Sequence, residues 1–173
     1  WQRFQALAMP HLDAAYNLAR WLVRDDAVAE DMVQDAMLRA FRYFDALRGD
    51  QAKPWLLGIV RNACFTWLEE QRHRPGHVEF DEDVMDSSAL RFEHVDADPA
   101  SLLDGKRKRA LVDAAIRSLA PAFREVIVLR EIEGMSYAEI AQVAAIPIGT
   151  VMSRLSRAKE VLKAVLAGVG KLK

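Results

Sequence analysis

Two helix-forming segments near the C-terminal end are separated by a turn so short that they must be neighbours in space. Ser136-Tyr137-Ala138-Glu139 opens the first, with a hydroxyl and a carboxylate spaced to satisfy each other's backbone donors as a capping box. Ile146-Pro147-Ile148-Gly149 is expected to turn, and Thr150-Val151-Met152-Ser153-Arg154-Leu155-Ser156-Arg157-Ala158-Lys159 opens the second. At 100° per residue, Val151, Leu155, Ala158 and Leu162 share one side, which must pack on Ile140, Ala141 and the preceding helix. Ser153, Ser156, Arg157 and Glu160 face away, with Met152 at the edge and Gly149 at the tip. A helix-turn-helix with small residues on its outer face fits a DNA major groove. Arg157 has the reach for a bidentate guanine contact, worth about 1–3 kcal/mol of discrimination. Thr150, Arg154 and Lys159 flank it as phosphate ligands, which position without specifying.

A net charge of −1 looks unsuited to a polyanion, but it averages three unlike segments. Residues 1–76 are net 0, residues 77–104 net −8, and residues 105–173 net +7. Such asymmetry points to different partners for each segment. With 173 residues, 51% hydrophobic and 28% charged, the chain reads as one soluble globular domain or two small ones. No apolar run reaches the length of a membrane span, and no signal peptide pattern is seen. The single Cys64 excludes an internal disulfide and fits a reducing compartment.

Helical periodicity dominates both ends, without β alternation. A first helix is predicted over about Phe4 to Val23, broken or kinked near Pro10. Asp25-Asp26 caps a second, over about Ala27 to Leu47. Pro54 suits the first turn of a third that runs to about Arg72 and stops at Arg74-Pro75-Gly76. Residues 77–104 lose periodicity and gain Asp, Glu and Ser, as a linker does, with a helical turn at most near Ala89–Phe92. Helices resume near Lys106 and at Pro121, the latter closed by Gly134. The fold class is all-α: two small helical domains, 1–76 and 106–173, on an acidic linker, 77–105.

Ala29, Val33, Ala36, Ala40 and Phe44 form the apolar stripe of the second helix, and Asp31, Gln34, Asp35, Leu38 and Arg42 lie opposite. An apolar residue ringed by carboxylates and an amide is what a protein footprint presents. A stray exposed leucine looks the same, and spacing does not separate the two. On the third helix Leu56, Val60, Ala63 and Trp67 form the buried side, with Arg61, Asn62, Phe65 and Arg72 away from it. That outer set suits single-stranded nucleic acid; packing of Phe65 on another helix is the equal alternative. Trp55 and Trp67 are expected in the core. His11, His73, His77 and His94 lack ligand spacing, and no phosphate-cradling glycine loop or nucleophile triad occurs, so no catalytic residue, metal or cofactor is expected.

With both ends in view, the chain resembles the extracytoplasmic-function (group 4) sigma factors of bacterial RNA polymerase, sigma-70 family. Ala29-Glu30-Asp31-Met32-Val33-Gln34-Asp35-Ala36 and Lys53-Pro54-Trp55-Leu56-Leu57-Gly58-Ile59-Val60-Arg61-Asn62 look like region 2. Leu119 to Val126, Glu133 to Ala141 and Gly149 to Leu155 look like region 4. The resemblance implies that Asp31, Gln34, Asp35 and Leu38 dock on the β′ clamp of core polymerase, and that region 4 meets the β flap. It implies −10 capture of unpaired bases by the loop Leu47 to Lys53, with Arg48, Gly49, Asp50 and Lys53, and by Arg61 and Asn62. It implies −35 reading by Thr150, Met152, Ser153, Arg154, Ser156 and Arg157. Many members carry Lys or Arg where this chain has Met152, which bears on the −35 sequence preferred. The linker's acidity fits a channel built to hold a polyanion. The resemblance further implies a non-enzymatic, cytoplasmic bacterial protein, without membrane insertion, that binds promoter DNA and an anti-sigma factor. Alternatives are a sigma mimic sequestering an anti-sigma factor, which lacks its usual receiver domain here, or a stand-alone helix-turn-helix regulator, which leaves the second helix's signature unexplained.

Overall fold

The computed structural model describes residues 1–49, 51–74 and 105–170. The linker, its turn near 89–92, Asp50, His77 and His94 lie outside the described residues. All described elements are helical. Helix α1 (Gln2–Ala8) meets a 3₁₀ turn, Met9–His11, and then α2 (Leu12–Val23). Pro10 sits in that turn because it has no N–H to give to a helical ladder. Helix α2 ends on Arg24 in the left-handed region (φ 59°). Asp25 caps α3 (Asp26–Arg42), its carboxylate accepting the Val28 N–H at 3.0 Å. The expected extension of α3 to Leu47 is corrected: it stops at Arg42, and a separate 3₁₀ turn covers Phe44–Ala46. Helix α4 spans Ala52–Arg72 with Pro54 in its first turn.

The second unit contains α5 (Gly105–Arg117), α6 (Pro121–Ile127), α7 (Tyr137–Ala144) and α8 (Ile148–Gly170). Helix α6 continues into a π-helical turn, Val128–Ile132, before Gly134 reverses the chain at φ +65°. The expected turn at Ile146 to Gly149 is shorter than the sequence suggests. Ala145 closes α7 with φ 53°, and Ile148 and Gly149 already belong to α8.

The two units pack against each other around one continuous core. Leu18, Leu22, Leu56, Leu57 and Val60 of the first meet Leu119, Val126, Ile127, Leu129 and Ile140 of the second, all fully buried. Each such side chain contributes about 1.5–3 kcal/mol by leaving water. Helix α4 lies on α7, and α2 on α6. This explains why α4 is buried on two sides: besides Leu56, Val60 and Ala63, it buries Leu57 and Cys64. Gly58 is where α4 and α7 approach, since a Cβ there would stand 3.8 Å from the Val143 carbonyl oxygen. Trp55 and Trp67 are half-buried against the core, as expected.

Candidate nucleic-acid interface

Helix α8 is aimed by the cap and turn before it. The Ser136 N–H donates to Glu139 Oε2 at 2.7 Å, and the Glu139 N–H donates to Ser136 Oγ at 3.2 Å, so the capping box is complete. The Thr150 and Val151 N–H groups donate to the Pro147 carbonyl at 3.0 and 3.1 Å, which starts α8 immediately after the proline. Val151, Leu155 and Ala158 are buried, as periodicity predicts. Gly149, Met152, Ser153, Ser156 and Arg157 form one exposed edge, and Met152 retains 52% of its surface. Ser153 Oγ donates back to the Thr150 carbonyl at 3.1 Å, which fixes its rotamer beside Arg157. Thr150 is half-buried.

Two of the expected flanking cations are turned elsewhere. Lys159 pairs with Glu131 at 2.9 Å. Arg154, half-buried, reaches within 3.9 Å of the Glu125 carboxylate. Arg157 is exposed and outside every ion pair among the described residues.

The outer face of α3 is as expected. Asp31 and Gln34 are exposed, and Leu38 stands 71% exposed between them and Arg42. Asp35 is only half-exposed and accepts from Arg39 at 2.8 Å, so it is a paired carboxylate. Phe41 is also exposed and meets Trp1 edge to face, ring centroids 5.4 Å apart. Arg48 and Gly49 are exposed, and Gly49 takes φ +66°, a conformation that favours glycine.

Helix α4 differs most from expectation. Arg61 and Phe65 do stack, guanidinium 4.0 Å from the ring centroid, and Asn62 is exposed beside them. But Arg61 donates from Nε and Nη2 to the two oxygens of Glu125 at 2.9 and 3.2 Å. Lys53 donates to the Glu133 carbonyl at 3.1 Å and pairs with its carboxylate at 3.3 Å. Asn17 donates to the same carboxylate at 2.8 Å. In this arrangement carboxylates of the second unit hold both Arg61 and Lys53.

Motif reading gave Glu125, Glu133 and Asn17 no role of their own, although the first two lie within the region-4 motifs. The available signal was a charged pair, Arg124-Glu125, set in the otherwise apolar run Phe123–Leu129. Glu125 has no exposed surface. Burial pushes its carboxyl above the usual 4.5, outweighing the hydrogen bond and charge of Arg61 and the charge of Arg154. Burial, then Lys53, holds His11 below its usual value. Burial alone pushes the Cys64 thiol up to about 12, which keeps it protonated and inert. Among the described residues no cluster has the composition of a metal site, and no helix is long and apolar enough to cross a membrane.

Comparison with known proteins matches both units. Residues 7–74 match the Sigma-70 region 2 family, and residues 109–162 match Sigma-70, region 4. The ECF RNA polymerase sigma-E factor of Escherichia coli is 36% identical over 137 residues, covering 76% of this chain and 70% of that one. The sigma factor RpoE of Bartonella quintana, solved with the anti-sigma factor NepR, superposes with a TM-score of 0.70 at 29% identity, over 96% of this chain and 98% of that one. CnrH, solved with the cytosolic domain of CnrY, superposes at 0.65 and 26% identity, over 97% and 90%.

Proposed function

The chain belongs to the sigma-70 family as a sigma factor of the extracytoplasmic-function type, and on that premise we propose how its surfaces divide the work of promoter recognition. Residues 1–76 form the region 2 domain, residues 106–173 the region 4 domain, and residues 77–105 tether them. On α3, Asp31, Gln34, Asp35 and Leu38 dock on the β′ clamp of core polymerase, Leu38 supplying the apolar contact and the carboxylates its charged rim. Region 4 meets the β flap. The exposed edge of α8 reads the −35 element: Arg157 takes a guanine edge, Ser153, Ser156 and Met152 shape the approach, and Thr150 and Arg154 hold phosphates. The loop carrying Arg48, Gly49, Asp50 and Lys53 and the helix carrying Arg61 and Asn62 capture unpaired −10 bases. A base edge is unreadable while stacked, so capture and melting are one event. Two weak readers gain affinity together only when the polymerase sets their spacing.

The protein has no catalytic activity of its own, acts in the bacterial cytoplasm, and is restrained by an anti-sigma factor, as RpoE is solved with the anti-sigma factor NepR. The observation that carries this reading is the coexistence of two exposed surfaces on one chain: the small-residue edge of α8 ending in Arg157, and the Leu38 patch ringed by acid on α3. The test is run-off transcription with core RNA polymerase on the DNA upstream of this protein's own gene. A factor-dependent transcript is expected, reduced roughly 5- to 150-fold by Arg157→Ala, the equivalent of about 1–3 kcal/mol, and lost with polymerase binding on Asp35→Ala. Failure of core polymerase to bind the protein overturns the reading.

A further inference from the structure

The exposed edge of α8 is lopsided. At 100° per residue, Ile148 and Met152 lie about 40° apart on one flank, and Arg157 lies about 140° from Met152 on the other. Gly149, Ser153 and Ser156 fill the arc between them. Ile148 is 47% exposed and Met152 52%, whereas their apolar neighbours in sequence, Ile146 and Val151, are drawn into the core. A single exposed apolar side chain is ordinary. Two of them one turn apart make an apolar flank, and nothing among the described residues covers it.

The major groove offers such a flank one match. Of the four bases, thymine alone presents a methyl group there, on C5. The other groups on the groove edge are hydrogen-bond donors and acceptors. Isoleucine has no group to answer them, and methionine only a weakly accepting sulfur. We propose that Ile148 and Met152 read thymine: their side chains close over the C5 methyl of one T·A pair in the −35 element, while Arg157 takes its guanine at another base pair. Met152 and Arg157 are separated by about 7.5 Å along the helix axis, against a base-pair rise of about 3.4 Å, so the two contacts fall on separate pairs. The middle of the edge permits both. Gly149 brings no side chain, and the Ser153 hydroxyl is turned back to the Thr150 carbonyl at 3.1 Å. The first turn of α8 has no acidic residue to repel the phosphates on approach.

This inference rests on the proposed placing of α8 at the −35 element, and its test keeps the two apart. Core polymerase carrying this protein selects from fully randomised duplexes. One pool is made with thymidine and one with deoxyuridine, which differs only in lacking the C5 methyl. With thymidine, the selected −35 sequences are expected to hold T at a fixed distance from a guanine that depends on Arg157. With deoxyuridine that preference falls about fourfold, equivalent to about 0.8 kcal/mol for burying one carbon group of that size. Ile148→Ala combined with Met152→Ala makes the two pools equivalent, and Met152→Arg exchanges the T for G. Both positions are exposed, so these variants keep the fold. No T preference in the unaltered protein, an equal preference in both pools, or a preference that survives the double alanine variant overturns thymine reading. If the double variant instead weakens binding of core polymerase with the DNA preference intact, the flank belongs to a protein interface and thymine reading is likewise overturned. Selection of no common −35 sequence overturns the premise and this inference with it. An Arg157-dependent guanine without a T preference removes thymine reading alone and leaves the division of promoter recognition standing.

Discussion

Glu125 shows how one residue can make an interface responsive to its surroundings. Its carboxyl lies above the ordinary 4.5 because burial penalises the anion more than Arg61 and Arg154 favour it. The unfolded chain gives up this proton near pH 4.5, and the folded protein holds it to higher pH. The folded state therefore binds more protons across that window, and stability falls as pH rises through it, by about 1.4 kcal/mol per unit of difference. Below the window the contribution is fully present; above the folded value it is lost and the curve flattens. Urea midpoints of the unaltered protein and of Glu125→Gln, measured from pH 4 to 8, are expected to diverge, with the unaltered protein losing ground as pH rises above 4.5. The opposite slope would mean that Arg61 and Arg154 overcome burial. Arg61 and Arg154 are the charged groups paired with this carboxylate, from α4 and α8.

Local chemistry set most of the elements, and it was legible where it was local. Pro10, Asp25, Pro54, Pro121 and Gly134 each act within a turn of themselves, and each sits where its backbone constraint requires. The exposed and buried sides of α3 and α8 followed from periodicity because each helix has one buried face. Helix α4 did not follow, because a second unit covers its other side and turns Leu57 and Cys64 inward. The π-helical turn at Val128–Ile132 gives no signal to a 3.6-residue pattern. The Arg61–Glu125 pair spans 64 residues, and no spacing rule links side chains at that distance. The capping box of α7 is the clearest local case and has a definite energetic consequence. Ser136→Ala removes the acceptor for the Glu139 N–H, so unfolding should become easier by about 1 kcal/mol. For a chain of this size that lowers the melting temperature by roughly 2–4 °C. A loss within calorimetric error would mean that packing of Ile140 and Val143 alone holds this helix.

At the scale of the whole molecule, the packing of the two units depends on shape as well as charge, and shape can be tested apart from charge at Gly58. This glycine lies on α4 inside the motif that carries Arg61, and it faces the Val143 backbone of α7. A Cβ there reaches ordinary van der Waals distance, 3.8 Å from the carbonyl oxygen, so Gly58→Ala is accommodated. It also removes the backbone entropy cost of a helical glycine, about 0.5–1 kcal/mol. A Phe at the same place has no room between two helices whose backbones already fix the gap, and overpacking of this kind costs about 1–3 kcal/mol. The strain has an outlet: α4 and α7 belong to different units, so the units separate before either unfolds. Gly58→Phe is therefore expected to raise the radius of gyration in small-angle scattering while helical circular dichroism stays unchanged, and Gly58→Ala is expected to leave both as they are. Loss of helicity in Gly58→Phe would show that the two units fold as a single inseparable body. In that case the first unit depends on the second for its core, and their packing is a condition of folding.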